Sequence, residues 1–201
     1  MTLPRFEPLE GDIHTDVLII GGGLAGLLCA RNLHNAGINY TLVEADTIMH
    51  GVSRNTTAKI TSQHGFIYHK LLRRFGPEAA QLYWQANEAA AEVFRALVPS
   101  FPCDFEEKDN QIYSMQDPEI LEAEWNALQQ LHIPASFEKE LPLPFPIAGA
   151  IRFPKQAQFH PLKFAAGIAK GLNIYEHTAV KGFEGTTALT DRGRIHAEKI
   201  I

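Results

Sequence analysis

The 201-residue chain has ordinary apolar content, 45%, and a formal net charge of −5. It contains no basic run or stripe, which argues against a nucleic-acid partner, and its apolar runs are too short to span a bilayer. Its two cysteines, Cys29 and Cys103, lie far apart without metal-ligand spacing, which points to reduced thiols in a cytoplasmic protein rather than a disulfide scaffold or a zinc site.

Residues 1–15 carry Pro4, Glu7, Pro8, Glu10 and Asp12. That pattern is the reverse of a signal peptide and predicts a polar lead-in packed on the surface. Asp16–Ile20 is apolar on both faces, as a central parallel strand should be. It runs into Gly21-Gly22-Gly23-Leu24-Ala25-Gly26, then a helical pattern over Leu24–Ala36 closed by Gly37, then a second strand at Tyr40–Glu44. Each part of this strand–turn–helix–strand unit suits a dinucleotide. Gly21 permits the sharp turn, Gly23 lets a pyrophosphate approach the backbone, and Gly26 lets the helix lie close to the sheet. The helix N-terminus offers free N–H groups and partial positive charge, and Glu44 stands where a carboxylate accepts from ribose hydroxyls. A plain βαβ unit with a glycine turn is the bland alternative.

The next stretch, Asp46–Ser62, is rich in hydroxyls and amides and opens as a loop. Ser53, Asn55, Thr56 and Thr57 with Arg54 and Lys59 suit a second clamp on a diphosphate. The alternative is a helix start capped by Ser53 or Asn55. Tyr68–Phe75 predicts a short helix stopped at Gly76-Pro77, and Glu78–Val98 a longer one. In the longer helix Leu82, Ala86, Ala89, Ala90, Val93, Phe94 and Leu97 recur at helical spacing as its core face. Residues 103–106 and 111–114 read as two strands around a Lys108-Asp109-Asn110 turn.

Further along, Glu119–Leu131 reads as a helix and Ala135–Glu138 as a strand, with Leu141–Pro146 as a rigid proline connector. A strand at Ala148–Phe153 and a helix at Leu162–Lys170 follow. Asn173–Glu176 reads as a strand that Thr178-Ala179-Val180 continues. A hairpin of Thr187–Thr190 and Arg194–Ile201 turns at Asp191-Arg192-Gly193. The closing Ala197–Ile201 reads as the start of a buried strand, so the chain is expected to be a fragment prone to self-association through open strand edges.

Taken together, DVLIIGGGLAGLLCARNLHNAGINYTLVEA, SRNTTAKITSQHG, LPLPFPIAGAIRF, QAQFHPLKF and IYEHTAVKGFE resemble the front part of FAD-dependent oxidoreductases of the D-amino-acid oxidase/glycine oxidase type. The similarity is greatest to bacterial members that often carry a C-terminal Rieske domain. The resemblance implies an α/β fold: a Rossmann-like FAD-binding βαβ domain with an inserted α+β substrate-side region, C-terminally incomplete. The implied divisions are 1–65 (FAD-binding core and clamp), 66–158 (substrate-side region) and 159–201 (return to the FAD domain). The implied cofactor is FAD, and the implied substrate a small amine or amino acid that gives up a hydride to the flavin.

By the same resemblance, Gly21, Gly23, Leu24, Ala25 and Gly26 hold the FAD pyrophosphate, and Glu44, with Ala45 beside it, holds the adenosine ribose. Ser53, Arg54, Thr57, Ala58 and Lys59 lie along the pyrophosphate and flavin end, and Val180 meets the adenine through its backbone. The sequence departs from the family pattern in lacking its late glycine-rich flavin segment and any CxH…CxxH Rieske pattern. Two other readings are an NAD(P)-linked dehydrogenase, with Arg54 meeting a 2′-phosphate, and a non-catalytic nucleotide-binding remnant.

Nine histidines are present, without the spacing of a metal site. His64 is the one candidate for a place near the isoalloxazine, against a structural role, and His160 before Pro161 reads as a helix-opening residue. No catalytic residue is assigned.

Overall fold

The computed structural model describes residues 2–201. In chain order the strands are β1 (Ile13–Ile20), β2 (Tyr40–Val43), β3 (Lys59–Ile60), β4 (Glu106–Ser114), β5 (Ser136–Glu138), β6 (Gly149–Gln158), β7 (Ile174–Tyr175), β8 (Val180–Glu184), β9 (Thr187–Thr190) and β10 (Arg194–Ile200). The helices are α1 (Leu24–Asn35), α2 (Tyr68–Leu97), α3 (Pro118–Gln130) and α4 (Pro161–Ile168). Two compact units result. The first runs to Thr57 and includes Ser100–Asp104 and His160–Ile201; the second is Ala58–Pro99 with Phe105–Phe159.

The first unit is built on a sheet of order β7-β2-β1-β10-β9-β8. β1 lies parallel between β2 and β10, and β7 extends the parallel part beyond β2. β9 and β8 add an antiparallel extension. Val17, Leu18 and Ile19 are buried, as a strand paired on both edges requires. α1 buries Leu27 and Ala30, and Gly37 follows it in the left-handed region at φ 69°. The lead-in is tied to the sheet. Leu9 is buried, its N–H donates to Thr178 Oγ1 at 3.0 Å, and Phe6 N–H donates to Glu176 Oε2 at 3.0 Å.

One expectation fails here. Thr178-Ala179-Val180 does not continue β7, because His177 takes φ 49° and turns the chain. The freed N–H groups of His177 and Thr178 instead donate to Asp46 O and Glu44 O at 2.8 and 2.9 Å.

The second unit carries an antiparallel sheet of order β3-β6-β4, with β5 also on β6. α2 and α3 pack on it through Tyr68, Ala80, Leu121, Leu128, Ile151 and Phe153. α2 is bent at Gly76 (φ 82°, ψ 173°), followed by Pro77, where the sequence places the break.

Its core face is only in part the expected one: Phe94 and Leu97 are half-buried, Phe94 packing on Phe159. Leu82, Ala86, Ala89, Ala90 and Val93 are exposed, while Ala80 and Ala91 are buried and Tyr83 and Trp84 are partly buried against the core. Both faces are apolar at helical spacing. The face with the aromatic rings removes more area from water, and it is the one that packs.

The expected turn at Lys108-Asp109-Asn110 is a bulge within one continuous strand, β4. The Asp109 carboxylate accepts from Lys155 N–H at 3.2 Å and from Arg152 Nη1 at 2.9 Å. The polar triplet is therefore satisfied by β6 and its neighbours without reversing the chain.

Candidate cofactor site

The glycine turn of the first unit is shaped by close approach. Gly21 takes φ 111°, a conformation that excludes most side chains. A Cβ on Gly26 would stand 2.0 Å from Gly21 O, and a Cβ on Gly22 2.9 Å from Ile48 Cγ2. Gly23 opens α1 as its N-cap and supplies no side-chain cap. The helix dipole and its first amides are thus left for an acceptor brought from outside the helix.

Glu44, at the end of β2, turns its carboxylate onto this loop. Oε2 accepts from Gly22 N–H at 2.6 Å and Oε1 from Asp46 N–H at 3.0 Å. An ionised carboxylate has about four acceptor positions, so lone pairs remain for hydroxyl donors. The backbone of Glu44 is fixed by Tyr175 and Thr178, and Thr178 leads into Val180. Val180 itself packs against the cluster containing Leu18 and Val43. Gly22, Glu44 and the Thr178–Val180 segment are therefore neighbours within one unit.

Residues 46–55 close over the turn. Met49 N–H donates to Gly22 O at 2.9 Å, and Ser53, in a 3₁₀ turn over Val52–Asn55, accepts from Leu24 N–H at 3.3 Å. This overturns the local-cap alternative: no side chain caps that turn, and the Ser53 hydroxyl serves the start of α1. Arg54 is exposed and lines a cavity of about 620 Å³ with Arg5, Thr47, Ile48, Glu176 and His177. Ala45 and Thr57 are exposed. Ala58 (φ 48°) and Lys59 belong to the second unit, where Lys59 opens β3 against Gln158.

Sequence reasoning missed Glu176. It is 1% exposed, and its carboxylate accepts from Ile48 N–H at 2.7 Å as well as from Phe6 N–H. It ties the loop at Ile48 to the lead-in at Phe6. Its partners are 128 and 170 residues away in sequence, so no local pattern announces it.

In the second unit the Thr61–Gly65 loop is held at many points. Ser62 N–H donates to Gln156 Oε1 at 2.7 Å, Asn110 Nδ2 to Gln63 Oε1 at 2.9 Å, and the Tyr68 hydroxyl to Ser62 O. Burial pushes the Tyr68 phenol well above its usual range, with the Tyr83 ring adding to the shift. His64 is exposed on this loop and bonds the Tyr83 hydroxyl through Nδ1 at 2.8 Å, and partial burial lowers its pKa. His160 is the N-cap of α4, with Nδ1 accepting from Lys163 N–H at 3.4 Å, in the helix-opening place the sequence suggests. Among the described residues no group of histidines, cysteines and carboxylates is arranged to hold a metal ion, and no helix is long and apolar enough to cross a membrane.

The family model described as FAD dependent oxidoreductase (DAO) matches residues 16–201. YhfW of Bacillus subtilis (strain 168), named as a candidate Rieske 2Fe-2S iron-sulfur protein, is 35% identical over 185 residues, covering 88% of this chain and 36% of that protein. The fold is similar to that of glycine oxidase from Geobacillus kaustophilus, with a TM-score of 0.74 at 20% identity over 93% of this chain and 54% of that one. It is also similar to that of L-proline dehydrogenase from P. horikoshii, with a TM-score of 0.74 at 18% identity over 96% of this chain and 52% of that one. The chain thus spans between about a third and a half of the length of these relatives. With a family model matched over nearly its whole length, the chain belongs to the DAO family of FAD-dependent oxidoreductases.

Proposed function

We propose that this chain is the FAD-binding portion of an oxidoreductase that oxidises a small amine or amino acid by hydride transfer to flavin. The observation that carries the reading is the Gly21–Gly26 turn joined to Glu44. A side chain is sterically excluded at Gly26, and the N-cap of α1, Gly23, has no side chain to occupy the helix's first amides. These residues fit a dinucleotide diphosphate and a ribose. Gly21, Gly23, Leu24, Ala25 and Gly26 would hold the pyrophosphate through backbone N–H groups, with Ser53, Arg54 and Thr57 along it. Glu44, beside Ala45, would accept from the ribose hydroxyls, and Val180 would meet the adenine through its backbone. Ala58 and Lys59 would lie with Ser53, Arg54 and Thr57 along the pyrophosphate and the flavin end.

When bound, the flavin supplies the two-electron acceptor, and the protein binds, orients and tunes it. The glycine turn fixes where the diphosphate sits, and Glu44 sets the ribose. Relatives named for glycine and L-proline oxidation support an amino-acid or secondary-amine substrate class. The likeness to YhfW supports a Rieske domain as a further part of the whole protein.

The test is the visible spectrum of the purified protein with FAD after desalting, followed by anaerobic addition of candidate amines. Retained flavin bands, lost in Glu44→Arg and Gly23→Val, with bleaching by an amine or amino acid, are the expected result. Retained flavin that no amine bleaches would remove the substrate assignment. A folded protein that retains no flavin would remove the assignment of the site.

A further inference from the structure

In the second unit, α3, β5 and the connection from β5 to β6 border an open cavity of about 390 Å³, lined by Pro118, Leu121, Glu122, Trp125, Phe137 and Ala148. The four α3 residues fall at i, i+3, i+4 and i+7 and so form one stripe of the helix. Leu121 is buried and makes the floor. The Trp125 and Phe137 rings stand 6.1 Å apart between centroids at 64°, forming two walls that meet at an angle. Phe137 pairs with Ile151 of β6, and its ring reaches over Gly149, where a Cβ would meet its Cζ at 3.0 Å and Leu121 Cδ1 at 3.4 Å. The lining is thus apolar and aromatic, with a single ionisable group.

That group is Glu122. It is exposed and has neither a hydrogen bond nor an ion pair. Glu124, two residues on, is fully buried, and its carboxylate is taken up by the start of α2. α3 contains three glutamates, Glu119, Glu122 and Glu124, and no basic residue. Its N-terminus would by itself favour an anion, with about half a positive charge. The Asp117 carboxylate already caps it, accepting from Ile120 N–H at 3.0 Å, and Glu119 and Glu122 add whole negative charges beside it. The local sum is negative, and an anionic ligand is disfavoured.

We infer that this cavity binds a small organic cation of the alkylammonium class, its charge against the Trp125 and Phe137 ring faces and the Glu122 carboxylate. Aromatic faces attract such cations through their quadrupoles, and the attraction strengthens as water is excluded. The volume falls in the range of small-molecule sites. The site lies wholly within the second unit and involves none of the residues assigned to FAD, so it stands or falls independently of the oxidation reading.

The test is calorimetric titration of the purified protein with choline and with 3,3-dimethyl-1-butanol, which has the same shape without the charge. Choline is expected to bind one to one with a Kd on the order of a millimolar, and the neutral alcohol at least about tenfold more weakly. Glu122→Gln, at an exposed and unpaired position, should weaken choline by about tenfold, and Trp125→Leu should abolish it, with far-ultraviolet circular dichroism unchanged in Glu122→Gln. Equal binding of the alcohol, choline binding unaffected by Glu122→Gln, or no heat from choline would each overturn the inference. If Trp125→Leu fails to fold, the choline–alcohol contrast and Glu122→Gln still decide it.

Discussion

A single methyl group tests the glycine turn. At Gly26 the added Cβ would meet the backbone Gly21 O at 2.0 Å, and neither atom can yield without moving the helix off the strand. At Gly23 the nearest atom is Ser53 Oγ at 3.0 Å, the end of a small side chain that can rotate. Gly26→Ala should therefore destabilise the protein by about 1–3 kcal/mol and abolish FAD retention. Gly23→Ala should keep the fold and weaken the cofactor; chemical denaturation beside a desalting assay separates the two.

A second residue-scale prediction concerns His64. Partial burial lowers its pKa below the usual 6.5, so the folded state favours the neutral ring and the unfolded chain takes up the proton first on acidification. The stabilisation this brings is complete above the unfolded value and lost as pH falls through the folded one. An NMR titration should place the His64 midpoint below that of an unfolded control, and His64→Gln should flatten the decline of stability on the acid side. A midpoint at or above the control would refute this sign.

At the scale of elements, the start of α2 depends on a residue from another helix. Glu124 accepts from the N–H groups of Ile67, Tyr68 and His69 at 3.0, 2.9 and 2.9 Å, and from His69 Nδ1 at 2.7 Å. Ile67, the N-cap of α2, offers no side-chain cap, so Glu124 supplies from α3 what a local Ser or Asp supplies elsewhere. Glu124→Gln keeps the shape but replaces the carboxylate with an amide that has one acceptor oxygen. It should cost about 2–3 kcal/mol in urea unfolding, against about 1 kcal/mol for the ordinary local cap lost in Asp117→Ala.

The same contrast explains what was legible. The Asp117 cap, the Gly37 stop, the break at Gly76-Pro77 and the glycine turn are signals between residues a few positions apart, and the sequence displays them. Glu124 and Glu176 act across 55 residues or more, so nothing beside them marks them as buried. The apolar stripe of Leu82, Ala86, Ala89 and Val93 misled because α2 carries two such stripes, and helical periodicity cannot say which one meets the core. In the site, Gly21–Gly26 and Glu44 were legible because each glycine has a mechanical reason within one βαβ unit. The partnership of Ser53 with Leu24 N–H was not, since it needs the loop to fold back over the turn.

For the whole molecule, the decisive property is the linkage between cofactor and stability. The first unit brings residues from four parts of the chain to one place: the lead-in through Phe6, the glycine turn, the loop carrying Ile48 and Ser53, and the Glu176–Thr178 segment. A ligand seated on the turn binds only when these parts are assembled, so it should stabilise the folded state by RT ln(1 + [L]/Kd), about 2.7 kcal/mol at a hundredfold excess over Kd. For a chain of this size, such a gain raises Tm by about 5–10 °C. Thermal unfolding followed across a series of FAD concentrations should show a Tm that climbs with the logarithm of FAD. In Glu44→Arg the climb should vanish, because the arginine cannot accept from Gly22 N–H or from a ribose hydroxyl and sets a positive charge against the helix N-terminus. Adenosine diphosphate should reproduce part of the shift, since the contacts assigned to the first unit lie on the adenosine and diphosphate. A Tm indifferent to both ligands in a cooperatively unfolding protein would mean that the turn and Glu44 do not form the cofactor site. A shift with FAD alone would instead move the main binding contribution to the flavin end.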